Sequence, residues 1–372
     1  MHWKACDFLW AQQREDGGWH SDIHGLMRSG QSLTPFVLYA LMNVPDSIYP
    51  MPKKNVEAAF TFIRQNVNGF GVLGQADPDF IDYPNYATSY ALMALIKYDK
   101  AEDANLIKKM INYLVSEQYV EYRGITEDSY AYGSWGIGEE TLRDGFYGQL
   151  DLSHTRRVLQ ALRMAGHEDT LTYSKARVFL RLLQKDPTEK RTQPNIEEDD
   201  TAAVFFDGGF YFSPTALDQN KAGQEPASTT FQAHYRSYAT ATCDGILALL
   251  AAGARVDSAS IRAAKLWLAK NPAIEAPQGI PEEQPGEWDK VLKLYHAYVR
   301  AEVYNALDWS GNWKIAMQTW LASEQQPDGR FMNPYGGPNK ENDPVLATAF
   351  AIIAVNNINE AFGTALDRER AR

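Results

Sequence analysis

Four consecutive acids, Glu197, Glu198, Asp199 and Asp200, stand ahead of Thr201 and Ala202. An isolated Asp titrates near pH 4 and is ionised at neutrality. Burial beside a like-charged neighbour holds one member of such a set protonated, which makes a proton donor. The same run follows KDPTEKRTQPNI and leads into the turn Asp207-Gly208-Gly209, a loop context in which acids face water. Three roles stay open for it: a proton donor, a contact for a cation or partner, and a solvated loop.

A second set combines aromatic rings with a few ionisable groups: Tyr83, Tyr86, Asp151, His154, Arg236, Tyr238, Asp244, Tyr295, His296 and Tyr298. Rings plus sparse charge suit an amphipathic ligand, and they suit a sugar as well. For glycan chemistry Asp151 and Asp244 would be the carboxylate pair, about 5–5.5 Å apart for retention or about 6.5–9.5 Å for inversion. Arg236, with His234 and Lys290, could hold an anionic headgroup where helix N-termini add backbone donors. Capping and packing are the competing roles for every one of these residues.

Positioning such a set requires elements, and the sequence supplies them as an imperfect repeat. Residues 12–19 read QQREDGGW and residues 325–331 read QQPDGRF; QNVNGFG at 65–71 and DGGFYF at 207–212 lie between. A weaker copy contains Tyr132-Gly133-Ser134-Trp135, and Gln278-Gly279 is a remnant of a further one. The spacing gives units of about 62 residues, enough for two helices and two connections each. One helix series is expected at 3–13, 55–66, 104–118, 171–185, 257–270 and 312–325. A second is expected at 34–43, 84–97, 151–165, 238–252, 288–307 and 345–357.

Gly in the turns tolerates positive φ, and Asp bonds nearby backbone. Trp19, Phe70, Trp135, Phe210 and Phe331 then fold back as apolar wedges between pairs. Thr34 before Pro35 and Asp343 before Pro344 read as helix caps, with Asp82 and Asp151 as further candidates. The second series carries Ala, Thr and Ser among large apolar residues, which suits close inner packing. The first, with Lys108, Lys109, Lys175 and Lys265, is amphipathic. Neither end offers a polar capping repeat. The expectation is therefore an all-α chain, one (α/α)6 barrel or toroid of six inner and six outer helices over residues 1–360. Residues 361–372 form a polar tail, and a pair of ordinary domains is the alternative.

The composition agrees with a single large core: 372 residues, 45% apolar, 22% charged, two cysteines. Cys6 and Cys243 read as buried thiols. A formal net charge of −11 argues against a nucleic-acid partner. No run of eighteen apolar residues marks a transmembrane span. The chain start lacks the order of a secretory signal; the reading is cytoplasmic if the chain is complete and exported if a signal was removed.

The Gln13-Asp16-Gly17-Trp19 and Gln325-Asp328-Gly329-Phe331 turns resemble the QW motif of the prenyltransferase and squalene-cyclase repeat superfamily. That likeness spans nearly the whole chain. It implies an α/α barrel around an aromatic or apolar cavity and, as partner, an isoprenoid or other amphipathic small molecule. Glu197 to Ala202 resembles the DxDDTA motif of protonation-type terpene cyclases, with Glu197 in place of the first Asp. The resemblance makes Asp199 the proton donor, with Asp200 and Glu197 shaping its acidity. Protein prenyltransferases in the superfamily hold zinc through Asp-x-Cys and a later His. Here Cys243, Asp244 and His296 offer the residue types, but Ala241 stands where the Asp belongs, so no metal or cofactor is expected. A non-catalytic ligand-binding or scaffold repeat protein and a carbohydrate-active hydrolase or lyase are the alternatives. No protein partner is indicated.

Overall fold

The computed structural model describes residues 1–77, 79–138, 147–191, 193, 196 and 202–359. Among them the chain is all-α apart from one two-residue hairpin, Gln224–Glu225 (β1) with His234–Tyr235 (β2). The first series of helices is α1 (His2–Ala11), α3 (Lys53–Asn66), α5 (Ala104–Ser116), α7 (Thr170–Leu183), α9 (Ala259–Lys270) and α12 (Trp313–Glu324). The second is α2 (Leu33–Met42), α4 (Pro84–Tyr98), α6 (Leu152–Met164), α8 (Ala239–Ala251), α10 (Trp288–Val291) with α11 (Lys293–Ala306), and α13 (Pro344–Ile358). Every expected helix is present to within a few residues. The stretch expected as one helix at 288–307 is two, because Leu292 leaves helical geometry at ψ +28°.

Two compact units make up the chain. One comprises Met1–Asn66, Ile274–Ala276 and the chain from Lys290 onward; the other comprises Val67–Ala273 and Pro277–Asp289. In the second unit α6 packs between α4 and α8, and every residue of α8 except Leu250 is buried. In the first, α13 packs on α11, α2 and α1, so the last helix of the second series lies on the first of that series. Asn356 Nδ2 there donates to the Ala40 carbonyl at 3.3 Å, and His2 Nε2 and Asn356 Oδ1 are 3.0 Å apart.

One joint recurs. The backbone N–H of a wedge residue donates to a buried threonine hydroxyl on the second-series helix that follows: Trp19 to Thr34 (2.8 Å), Leu73 to Thr88 (3.0 Å), Trp135 to Thr155 (3.1 Å), Phe210 to Thr242 (3.1 Å) and Phe331 to Thr348 (2.9 Å). In four of these the hydroxyl also donates to the wedge carbonyl. The wedge turns rest on helices of the first series through glycines at φ +85° to +94°. A Cβ on Gly17 would strike the Ala58 carbonyl oxygen, on Gly133 that of Lys175, on Gly208 that of Ala263 and on Gly329 that of Lys4. A glutamine amide braces each of these four turns by donating both to the turn glycine's carbonyl and to the start of the neighbouring helix. Gln13 reaches Asn55, Gln118 reaches Thr172, Gln184 reaches Ser260, and Gln325 reaches Met1.

Three local expectations are corrected. Thr34 does not cap α2, which begins at Leu33 after an uncapped Ser32; its hydroxyl is spent on Trp19. Phe70 is not a wedge but 83% exposed. Asn68 Oδ1 accepts from the N–H groups of Phe70 and Val72, turning the Phe70 ring outward, and buried Leu73 takes the joint instead. Asp82 is buried, yet the residue that precedes α4 is Tyr83, at φ +47°. Asp343 and Asp151 cap α13 and α6 as expected, and both cysteines are buried and free.

Replacing Thr155 with Val keeps the shape and strands the buried Trp135 N–H, which costs about 1–3 kcal/mol. Phe70→Ser changes stability by no more than about 0.5 kcal/mol, as an exposed side chain should. Chemical denaturation of both variants checks the pair, and equal effects contradict the joint.

Candidate functional site

At the start of α6, a short carboxylate side chain must satisfy N–H groups that have no intrahelical partner. Asp151 does so: Oδ1 accepts from the His154 backbone N–H at 2.9 Å and from the Ser153 hydroxyl at 3.0 Å. The same geometry brings the side chain three residues on back over the cap. His154 Nδ1 lies 2.8 Å from Asp151 Oδ2, and Gln149 Nε2 donates to that oxygen at 3.3 Å. Asp151 is wholly buried and His154 is 4% exposed. Burial alone would raise the Asp151 carboxyl; the His154 ring and the surrounding donors outweigh it and leave it below its ordinary value. An ionised Asp151 accepts from Nδ1–H, and that assignment fixes the ring's tautomer. The other ring nitrogen, Nε2, is buried without a hydrogen-bond partner among the described residues.

Two rings from the neighbouring helix cover this imidazole. Tyr86, in the first turn of α4, meets it edge-on at 4.5 Å between centroids, and Tyr83 is stacked at 6.3 Å. Tyr83 holds a left-handed backbone that bulky residues rarely adopt. The loop from the following repeat fixes it there. Asn85, two residues on, donates its backbone N–H to Ile137 O at 3.0 Å and its amide to Gly136 O at 2.8 Å, while a Cβ on Gly138 would press on Pro84. The starts of α6 and α8 are tied in the same way, Leu152 N–H to Phe212 O and Ala239 N–H to Gln278 O.

Asp244 on α8 forms a buried ion pair with Arg156, Nη1 to Oδ1 at 2.5 Å. Its field and that of Asp151 add to burial in raising the Tyr86 and Tyr238 hydroxyls, so both stay protonated; Arg157 opposes this at Tyr86, and its guanidinium lies 4.5 Å from the Tyr90 ring centroid. Arg236 is elsewhere. Its guanidinium is tied to Glu225 at 2.7 Å and to the Ala222 carbonyl, on the β1–β2 hairpin. His234 is stacked on Phe205 at 4.1 Å, and Lys290 lies 6.0 Å from the Tyr335 ring centroid, each occupied locally.

The remaining members of the set belong to the first unit. Tyr295 and Tyr298 build an aromatic cluster with Phe350, at 5.5 and 5.6 Å, and Phe36 joins it at 5.3 Å from Phe350. His296 is fully buried on α11. Glu341, which sequence reading passed over, is also fully buried. Its carboxylate accepts from the Leu294 and Tyr295 backbone N–H groups and from Asn333 and Asn339. Burial pushes its carboxyl up to about 7 against those donors. Asp199, Asp200 and Glu197 lie outside the described residues. No cluster of three potential metal ligands occurs among the described residues, and no described helix is long and apolar enough to cross a membrane.

No family model matches the sequence, and no curated protein matches it. Solved structures do. The type II terpene cyclase MstE from Scytonema, in its apo form, is similar at TM-score 0.56 with 13% identity, over 96% of this chain and 96% of that one. An MstE variant in complex with its substrate, geranylgeranyl dihydroxybenzoate, is similar at TM-score 0.56 and 14% identity, over 95% of this chain and 94% of that one. A protein from Actinoplanes is similar at TM-score 0.52 and 13% identity, over 95% and 97%. The fold is thus similar to that of the type II terpene cyclase MstE.

Asp151 has a lowered carboxyl in the folded state, so its contribution is present above the ordinary carboxylate value and disappears as pH falls through the lowered one. Asp151→Asn is expected to cost about 3 kcal/mol at pH 7, as losing one member of a buried pair does. It also flattens the acid limb of stability below about pH 4. Denaturation midpoints of the wild type and variant from pH 3 to 7 measure both. An unchanged acid limb would remove Asp151 from that role.

Proposed function

We propose that this chain binds a prenylated small molecule and cyclises its isoprenoid tail by protonating an alkene. The observation that carries this reading is the buried Asp151–His154 pair under the rings of Tyr83 and Tyr86, on a fold shared over nearly its full length with MstE. Alkenes are weak bases. Protonating one requires an acid kept neutral until use, exclusion of water and aromatic faces toward the cation that forms.

In this reading Asp199 is the donor, and Asp200 and Glu197 tune it as the DxDDTA resemblance implies. The proton adds to one alkene carbon and the other becomes a tertiary cation. Neighbouring double bonds attack in turn, closing rings and passing the charge along the tail. The six hairpins are proposed to curl into one barrel that encloses this reaction. Tyr83, Tyr86, Tyr238, Tyr295 and Tyr298 are its proposed aromatic lining.

A second reading, ligand binding without turnover, is favoured by the turn motifs themselves, since Gln13, Gly17 and Trp19 are all spent on packing. Carbohydrate cleavage loses support because Asp244 is committed to Arg156 rather than free to act as an acid.

Incubation with geranylgeranylated aromatic acids and with unsubstituted polyprenyl alcohols, followed by mass spectrometry of extracts, tests the proposal. Cyclised isomers of the substrate are expected from the wild type. Asp199→Asn should lower their formation by about a thousandfold, on the scale of losing a general acid, while an unfolding transition like the wild type's is kept. Binding without product favours the second reading, and undiminished turnover by the variant removes Asp199.

A further inference from the structure

Resting on the cyclase reading, we infer that His154 is the base that ends the reaction, taking a proton from the terminal cation through Nε2. The cation has to be quenched somewhere, and what quenches it decides the product. A basic nitrogen beside the cation gives an alkene; water gives an alcohol.

The geometry favours the nitrogen. His154 Nδ1 lies 2.8 Å from Asp151 Oδ2, and in the neutral ring a hydrogen donated there leaves the lone pair on Nε2. That nitrogen is buried and has no partner among the described residues, on a side chain only 4% exposed. A buried polar atom left unmatched costs about 1–3 kcal/mol. Turning the ring does not solve it, since Asp151 holds the far side. The carboxylate is itself held by Ser153, Gln149 and the α6 backbone, so the imidazole meets a fixed acceptor and loses that bond if it swings away. Tyr86 and Tyr83 present ring surface around the same imidazole, the environment a carbocation needs immediately before it loses a proton.

The step balances. The C–H bond next to the cationic carbon breaks, and its electron pair becomes the new C=C π bond, which neutralises the cation. The proton goes to the Nε2 lone pair, and the imidazolium that results is stabilised by the Asp151 carboxylate. One proton enters from the acid at the start and one leaves to His154 at the end, so the overall reaction is an isomerisation. Return of the proton through solvent resets both groups.

His154→Gln, checked for an unchanged thermal transition, is the test variant. The readout is the distribution of products per molecule of substrate consumed, whatever the rate at which the variant consumes it. The alkene product should fall at least tenfold relative to water-captured alcohols or double-bond isomers. The same alkene in the same proportion overturns the inference, whereas loss of all consumption in Asp199→Asn alone bears only on the acid. If the wild type turns over none of the substrates, the cyclase reading is what fails, and a second measurement judges His154. Histidine 15N NMR should find a protonated Nδ1 and a bare Nε2 on this ring. The Nε2 signal should move on adding geranylgeranyl dimethylamine, whose ammonium stands in for the cation. An Nε2–H tautomer, or a signal that the amine leaves unmoved, overturns the assignment.

Discussion

A wedge residue that leaves its helix and buries its side chain takes a backbone N–H and carbonyl into the core with it. Neither group has a helical partner there, and an unmatched buried amide is among the more destabilising features a fold can carry. The threonine hydroxyl on the following second-series helix is the local remedy, since one oxygen can accept from the N–H and donate to the carbonyl of the same residue. Trp19 with Thr34, Trp135 with Thr155 and Phe331 with Thr348 show this two-way bond. Once it forms, the turn before it has a fixed position, and the rest follows. The turn glycine must face a first-series helix without a side chain, and the glutamine amide can reach both sides of the contact.

Fixing the turns also fixes where the second-series helices begin. The first backbone donors of α4, α6 and α8 each meet a carbonyl in the loop of another repeat, so three helix starts are held by chain distant in sequence. Side chains placed at those starts inherit the precision. Tyr83, Tyr86, Asp151 and His154 occupy such positions, and none depends on a long flexible side chain to reach its partner. In the first unit Glu341 does a related task from the opposite direction, its carboxylate receiving the first N–H groups of α11.

Much of this was legible in the sequence, for reasons that differ by element. The helices announce themselves through apolar periodicity, Pro84 and Pro344 at first positions, and Asp151 and Asp343 before them. Trp19, Trp135, Phe210 and Phe331 stand out because a large ring beside a glycine turn has few other places to go. Phe70 matched that description and is exposed, because an asparagine side chain in the same turn shifted the buried position to Leu73. The threonine joints escaped notice since the wedge and its partner are 15, 15, 20, 32 and 17 residues apart, too irregular for a motif. Of the site, the Asp151–His154 contact is local, and a cap followed three residues later by a histidine is readable. The Arg156–Asp244 pair joins residues 88 apart and required the fold.

Two of the buried charge arrangements of the second unit differ in a way that separates structure from chemistry. Arg156 and Asp244 neutralise one another, and such a pair gives no reason to look for a ligand. Hydrophobic replacements would often serve stability as well. Asp151 and His154 are arranged otherwise. The carboxylate is saturated by a helix start, a hydroxyl, an amide and a ring N–H, while the ring's other nitrogen ends in a buried position with nothing to bond. A core built for stability alone would place Phe or Leu there, under Tyr83 and Tyr86, and lose no hydrogen bond to Nε2. Retaining the imidazole at that depth makes sense if something enters beside it, and two tyrosine rings with an oriented lone pair suit a guest that is apolar and, for part of its stay, positively charged.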